Sequence, residues 1–255
     1  MFDSGVGGLS VLDALRRRLP NASLRYVGDA AFAPYGERKT DEIIARCDRI
    51  VDYLVSQGAS TIVVACNTAT VAAIDSLRSR WAGLVFVGVE PGVKPAAARS
   101  RSRRIAVMAT SATARSPRLR HLIDTFARGI DVHVQPCPGL ATAIEDGVHD
   151  GPELDAVLAP VCAEMRSAEV DTVVLGCTHY AFVASAIQRA MGDRVTLIDT
   201  ATAVADRIVA VCGSSSWDAD SSSVRIHSTG ETTAMRRVLE RCGELRDASV
   251  EHLTL

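Results

Sequence analysis

The stretch TIVVACNTAT, residues 61–70, decides the fold. It opens on β-branched and small apolar residues, as a strand buried on both faces does, and it stops at Cys66. Polar residues that suit the start of a helix follow at once: Asn67, Thr68 and Thr70. The stretch TVVLGCTHYA, residues 172–181, repeats the pattern, with Cys177 lying 111 residues beyond Cys66. A cysteine kept only for packing needs no duplicate at a second strand end, so the repeat points to chemistry.

Around these two strands, short apolar runs alternate with amphipathic stretches. The runs predict strands at 24–27, 61–65, 84–89, 104–109, 131–135, 171–175, 195–198 and 224–227. Helical periodicity covers 9–19, 40–57, 68–81, 116–129, 153–168, 182–191, 201–212 and 231–241. Such alternation predicts an α/β protein with parallel, doubly wound sheets. Eight strands also suit a barrel, but the internal repeat favours two similar halves. PGVKPAAARSRSRR at 91–104 reads as the crossover between them, and GSSSWDADSSS at 213–223 as a solvated loop.

The duplication extends beyond the cysteines. A strand leads into a small-residue turn at FDSGVGG (2–8) and again at MATSAT (108–113). Proline- or glycine-bearing turns follow at APYGERK (33–39) and CPGLATAIEDG (137–147). Pro34 and Glu145 each precede their cysteine by 32 residues. Ligands in open α/β sheets bind at the C-terminal ends of strands. Two halves facing one cleft would therefore set Cys66 opposite Cys177.

Asn67, Thr68 and Thr178 are natural N-cap candidates for helices starting after each cysteine. A helix N-terminus favours a carboxylate ligand and lowers the pKa of a thiol. Two such thiols on opposite sides of one carbon can remove a proton from one face and return one to the other. That inverts a stereocentre without a cofactor.

Composition narrows the classes. The chain has 255 residues, 47% of them hydrophobic, enough for a full core in one large domain or two small ones. Net charge is −2, which gives no basic surface for nucleic acid. No window reaches the roughly 18 apolar residues of a membrane span, and MFDSGVGG lacks the layout of a secretion signal, so a cytoplasmic protein is expected. Seven cysteines without a CxxC pair suit free thiols in a reducing compartment. Cys47, Cys137, Cys162, Cys212 and Cys242 sit on helical or irregular stretches and read as packing. Cys177 and His179 lack further ligands at a metal-binding spacing, and Lys39 and Lys94 sit in a polar turn and the crossover, where a Schiff-base cofactor finds no site. No metal and no cofactor are expected. DSGVGG is weak as a dinucleotide signature, because Ser10 stands where a third glycine belongs. It reads better as a tight turn presenting Asp3 and Ser4, with Asp3 alternatively a cap for the helix near Leu9.

Taken together, FDSGVGGLSVL, GDAAFAPYGERKTDEI, VVACNTATVAA, VMATSATARS and VVLGCTHYAFV closely resemble the glutamate racemases of bacterial cell-wall synthesis, from residue 2 to about residue 205. The resemblance implies two pseudo-two-fold-related halves, residues 1–93 plus 205–255 carrying Cys66 and residues 94–204 carrying Cys177. It implies that Cys66 is the base acting on D-glutamate and Cys177 the base acting on L-glutamate. Asp3 and His179 would assist the thiols, with Glu145 a further helper. Ser4, Asn67, Thr68 and Thr178 would hold the α-amino and α-carboxylate groups. Tyr35 and Gly36 would take the side-chain carboxylate through main-chain N–H groups, helped by Thr113. A homodimer is implied as well. Two departures stand out: Ala181 replaces the proline usual after GCTHY, and only Met1 and Phe2 precede Asp3, which shortens the first strand. GCTHY favours glutamate over aspartate. An aspartate racemase, a related isomerase or decarboxylase, and an idle regulator binding an acidic metabolite are the other readings.

Overall fold

A computed structural model describes residues 1–212 and 223–255, so the polar loop expected at 213–223 lies, apart from Ser223, outside the described residues. The strands are β1 Phe2–Asp3, β2 Leu24–Gly28, β3 Thr61–Val64, β4 Val85–Gly88, β5 Arg104–Ala109, β6 Asp131–Pro136, β7 Thr172–Leu175, β8 Thr196–Ile198, β9 Val224–Ser228 and β10 Val250–His252. They form two open, wholly parallel sheets, ordered β10-β9-β2-β1-β3-β4 and β6-β5-β7-β8. The α/β expectation holds, and the barrel does not occur. The chain divides into two compact units, Met1–Val89 with Ala201–Leu255, and Glu90–Thr200.

In the first unit, β1 is only two residues long but occupies the middle of its sheet. Phe2 pairs with Val27 on one side and with Val64 on the other. So short a run carries no periodicity of its own, and the shortened first strand expected ahead of the turn is held by pairing on both sides. β10 was not expected, and it adds beside β9 at the sheet edge. On the faces, helix Leu9–Arg18 packs against Ala201–Cys212, and Thr40–Ser56 packs against Asn67–Arg80. Ile43, Ile50, Leu54, Ile62, Ile74 and Leu77 are fully buried between sheet and helices. Each stabilises the unit by roughly 1.5–3 kcal/mol relative to an exposed side chain. Gly8 is required by packing: a Cβ there would lie 2.8 Å from Asp3 Cβ and 3.0 Å from Ala65 Cβ. The DSGVGG turn thus draws tight against the ends of β1 and β3.

In the second unit, helix Pro152–Ser167 packs against Ala184–Met191, and Pro117–Phe126 packs against Val93–Arg99. Ser116 caps the helix at Pro117, accepting from Leu119 N at 3.1 Å, with proline in the first helical turn. The segment expected to be a plain crossover at 91–104 contains the helix Val93–Arg99. Its Val93 and Ala96 are buried, and Pro95 falls in the first turn, where proline is tolerated, while most of the basic run lies after the helix. Short helices at Ser111–Ala114 and Leu140–Glu145 were also not expected; four and six residues are too few to show a period.

Candidate functional site

Cys66 leaves the end of β3 in extended conformation, with φ −129° and ψ 124°. It is therefore the N-cap of helix Asn67–Arg80 itself, and its Sγ accepts from Ala69 N at 3.4 Å. This corrects the expectation for Asn67 and Thr68, which are the first residues inside the helix. The reason is local: the chain stays extended through the cysteine and turns helical only after it. Arg78 and Arg80 in the last turn complement the helix dipole.

Cys66 Sγ also lies 3.6 Å from Ser4 Oγ, and Ser4 Oγ is 3.5 Å from Asp3 Oδ1. Asp3 is fully buried, and its Oδ1 accepts from Gly5 N at 2.8 Å. Gly8 occupies the N-cap position of helix Leu9–Arg18 with no side-chain cap, so capping that helix does not account for Asp3. Asn67 donates from Nδ2 to Val89 O at 3.2 Å, and its buried Oδ1 has no hydrogen-bond partner. A buried acceptor left over in this way suits a cationic ligand group. Thr68 is buried beside it.

Tyr35 opens a 3₁₀ turn, Tyr35–Glu37, that contains Gly36 and packs against helix Asn67–Arg80. The Tyr35 ring is buried, and its hydroxyl donates to Asp29 Oδ2 at 2.7 Å. Burial, reinforced by the nearby Cys47 and Asp29, pushes the phenol well above its ordinary pKa, so it remains a donor.

The second unit carries a different arrangement around its thiol. Cys177 is likewise extended, with φ −141° and ψ 136°, but the following Thr178–Val183 is a 3₁₀ turn. The α-helix starts only at Ala184. This corrects Thr178 as an α-helix cap. Ala181 sits inside the turn, where Tyr180 N bonds Cys177 O at 3.1 Å. Gly176 precedes the thiol because a Cβ there would lie 2.5 Å from Met108 O on the neighbouring strand.

Helix Leu140–Glu145 packs against this turn and delivers Glu145 to His179. His179 Nε2 is 2.5 Å from Glu145 Oε1, and Nδ1 is 3.6 Å from Cys177 Sγ. Burial alone would lower the pKa of His179. The bonds and charges of Cys177 and Glu145 outweigh it and hold the imidazole well above its usual value. A thiol, an imidazole and a carboxylate in line can hold and move a proton at Sγ. Thr113 is buried on its own turn, with its N–H bonded to Thr110 Oγ1 at 3.3 Å.

The structure thus brings Asp3, Ser4 and Cys66 together in one unit, and Cys177, His179 and Glu145 in the other. Tyr35 and Gly36 lie on a separate turn of the first unit, and Thr113 on a separate turn of the second. Sequence reading missed Asp29 and Arg46. The only available signal was an acidic residue at the end of β2, within GDAAFAPYG. The five cysteines read as packing are free thiols, buried except for Cys212, which is partly exposed. Burial pushes Cys137 and Cys242 up to about 12, and Cys47 and Cys162 upward, so these four stay protonated. Among the described residues no helix is long and apolar enough to cross a membrane.

Residues 9–208 match the profile of the Asp/Glu/Hydantoin racemase family. The chain is 48% identical to the glutamate racemase of Pseudomonas aeruginosa (strain UCBPP-PA14) over 208 residues, covering 82% of this chain and 78% of the relative. It is 43% identical to that of Ectopseudomonas mendocina (strain ymp) over 241 residues, covering 94% and 92%. Among solved structures, glutamate racemase isoform RacE1 of Bacillus anthracis superposes with TM-score 0.87 at 28% identity, covering 100% of this chain and 95% of that one. The Escherichia coli glutamate racemase, solved with L-glutamate and the activator UDP-MurNAc-ala, gives 0.85 at 28% identity, covering 99% and 96%. With family profile, sequence relatives and architecture in agreement, the chain belongs to the Asp/Glu/Hydantoin racemase family.

Proposed function

We propose that this chain interconverts L- and D-glutamate by proton transfer through two thiols, Cys66 and Cys177. The observation that carries the reading is the Cys177–His179–Glu145 line, matched in the other unit by a second buried thiol beside Ser4 and Asp3. Cys177, as thiolate, takes the α-proton of L-glutamate: the Cα–H bond breaks, an S–H bond forms, and the electron pair moves into the α-carboxylate as an enediolate. Cys66 then gives its proton to the opposite face of Cα, and D-glutamate results. In the reverse direction Cys66 is the base and Cys177 the acid. His179, with Glu145 behind it, stabilises the Cys177 thiolate, and Asp3 acts on Cys66 by way of Ser4.

Binding follows the same reading. The unpartnered Asn67 Oδ1 accepts from the α-ammonium, and Ser4, Thr68 and Thr178 hold the α-carboxylate. The main-chain N–H groups of Tyr35 and Gly36, with Thr113, receive the distal carboxylate. The names of the relatives favour glutamate over aspartate and over an idle acidic-metabolite regulator. D-Glutamate made this way would serve peptidoglycan synthesis in the cytoplasm, from a homodimer.

The test is α-proton exchange in D₂O, followed by NMR for both enantiomers. Cys66→Ala and Cys177→Ala each remove one proton carrier, so racemisation should collapse in both directions. Cys66→Ala should still exchange L-glutamate slowly with retention, and Cys177→Ala should exchange D-glutamate. A single variant that exchanges both enantiomers equally, or that racemises near the parent rate, refutes the division of faces.

A further inference from the structure

Asp29, at the turn after β2, is fully buried and accepts four hydrogen bonds. Arg46 Nη2 donates to Oδ1 at 2.6 Å and Arg46 Nε to Oδ2 at 2.9 Å. Thr229 Oγ1 donates to Oδ1 at 2.8 Å, and the Tyr35 hydroxyl to Oδ2 at 2.7 Å. All the lone-pair sites of the carboxylate are thereby taken. The backbone is tied as well: Asp29 N bonds Asp3 O at 2.9 Å, and Ala31 N bonds Thr229 Oγ1 at 3.1 Å. Asp29 therefore connects the end of β1 through its main-chain N–H, and the 3₁₀ turn at Tyr35 and the residue after β9 through its carboxylate.

A buried ion pair adds little net stability, because desolvation offsets the attraction. Its worth lies in fixing geometry, and here it fixes the turn at Tyr35. The Tyr35 ring is held again by an edge-on contact with Phe32, centroids 5.8 Å apart, and Phe32 in turn packs under the guanidinium groups of Arg38 and Arg46.

We propose that Asp29, with Arg46 as its counter-ion, is a positioning residue that holds the Tyr35–Glu37 turn in register with the end of β1. The substrate consequence rests on the function proposed above, in which Tyr35 and Gly36 receive the distal carboxylate. A turn held through one phenol hydroxyl binds ground state and transition state alike, so losing that hold raises KM and spares kcat.

The decisive variant is Tyr35→Phe, which deletes one oxygen and leaves three of the four bonds to Asp29, so the unit keeps its fold. KM for each enantiomer should rise about tenfold, the loss of roughly one charge-assisted hydrogen bond's worth of order, with kcat within about twofold. Hydrogen exchange of the peptide spanning residues 32–40 should speed up, led by the Arg38 amide that bonds Tyr35 O, while β3 keeps its protection. Asp29→Asn in the Tyr35→Phe background should add less to KM than it does in the parent, because the two share the contact to the Tyr35 hydroxyl. An unchanged KM together with unchanged exchange at 32–40 overturns the proposal, as does a fall in kcat at constant KM. If the parent protein does not racemise glutamate, the exchange measurement alone decides whether Asp29 holds the turn, and only the functional reading fails.

Discussion

Glu145→Gln keeps the shape of the side chain and removes its charge from beside His179. In the parent, Glu145 Oε1 sits 2.5 Å from Nε2, with the histidine side chain 4% exposed and the glutamate 19%. A hydrogen bond to a charged partner contributes about 1.5–3 kcal/mol. The imidazolium–thiolate attraction across 3.6 Å to Cys177 is at most about 4–5 kcal/mol at an effective dielectric near 20. Glu145 is therefore the smaller of two supports, and the variant should be impaired rather than dead. Its kcat/KM should fall by roughly one to two orders of magnitude. The fall must be equal for L- and D-glutamate, because the two enantiomers are isoenergetic. The sign in pH follows from the raised pKa of His179: the imidazolium exists below it, so removing Glu145 moves the alkaline limb of the rate profile to lower pH. Iodoacetamide labelling of Cys177, read by mass spectrometry at neutral pH, should slow while Cys66 labels at the parent rate. Stability follows the same direction. The contribution of a raised histidine is full below its unfolded pKa of about 6.5 and is lost as pH rises through the folded value. The urea-unfolding gap between parent and variant should accordingly be widest below pH ~6.5 and close at alkaline pH. Parent-rate labelling of Cys177 with an unmoved alkaline limb refutes the argument, and equal slowing at Cys66 marks general loosening instead.

Two further outcomes follow from particular contacts. Gly176→Ala places a Cβ 2.5 Å from the main-chain oxygen of Met108, which cannot yield without shifting a strand, so about 1–3 kcal/mol should be lost and Tm should drop by several degrees in calorimetry. An unchanged Tm contradicts that packing. Asp171 accepts from Arg101 N at 2.7 Å and Ser102 N at 2.6 Å; burial works against its charge, but these bonds prevail and hold the carboxyl at about 2. Its depressed pKa adds stability above the unfolded value of about 3.9 that is lost as pH falls through about 2. Asp171→Asn should therefore cost about 1 kcal/mol at neutral pH, after allowance for its exposure, with the gap narrowing from pH ~4 toward ~2 in urea titrations. A gap independent of pH refutes the ionic account.

Sequence alone was enough for the parallel α/β class, because strands buried on both faces must be apolar throughout and long helices must show their period. Cys66 and Cys177 were legible for a related reason: each ends such a strand, where the apolar pattern breaks abruptly into polar residues. Some elements of two to seven residues were not legible, among them β10 and the helices at Ser111, Leu140 and Val93. Their formation depends on sheet pairing and on buried neighbours, and neither leaves a local period. The choice of α-helix after Cys66 and 3₁₀ turn after Cys177 was also beyond the sequence, since both begin with a threonine-bearing polar pair or triplet. So was the company each thiol keeps. Ser4 reaches Cys66 across 62 residues of chain, Glu145 reaches His179 across 34, and Arg46 and Thr229 converge on Asp29 from 17 and 200 residues away. Contacts of that kind are made by packing, because a hydrogen bond needs its partners within about 3 Å, and only the folded chain brings residues so distant in sequence that close.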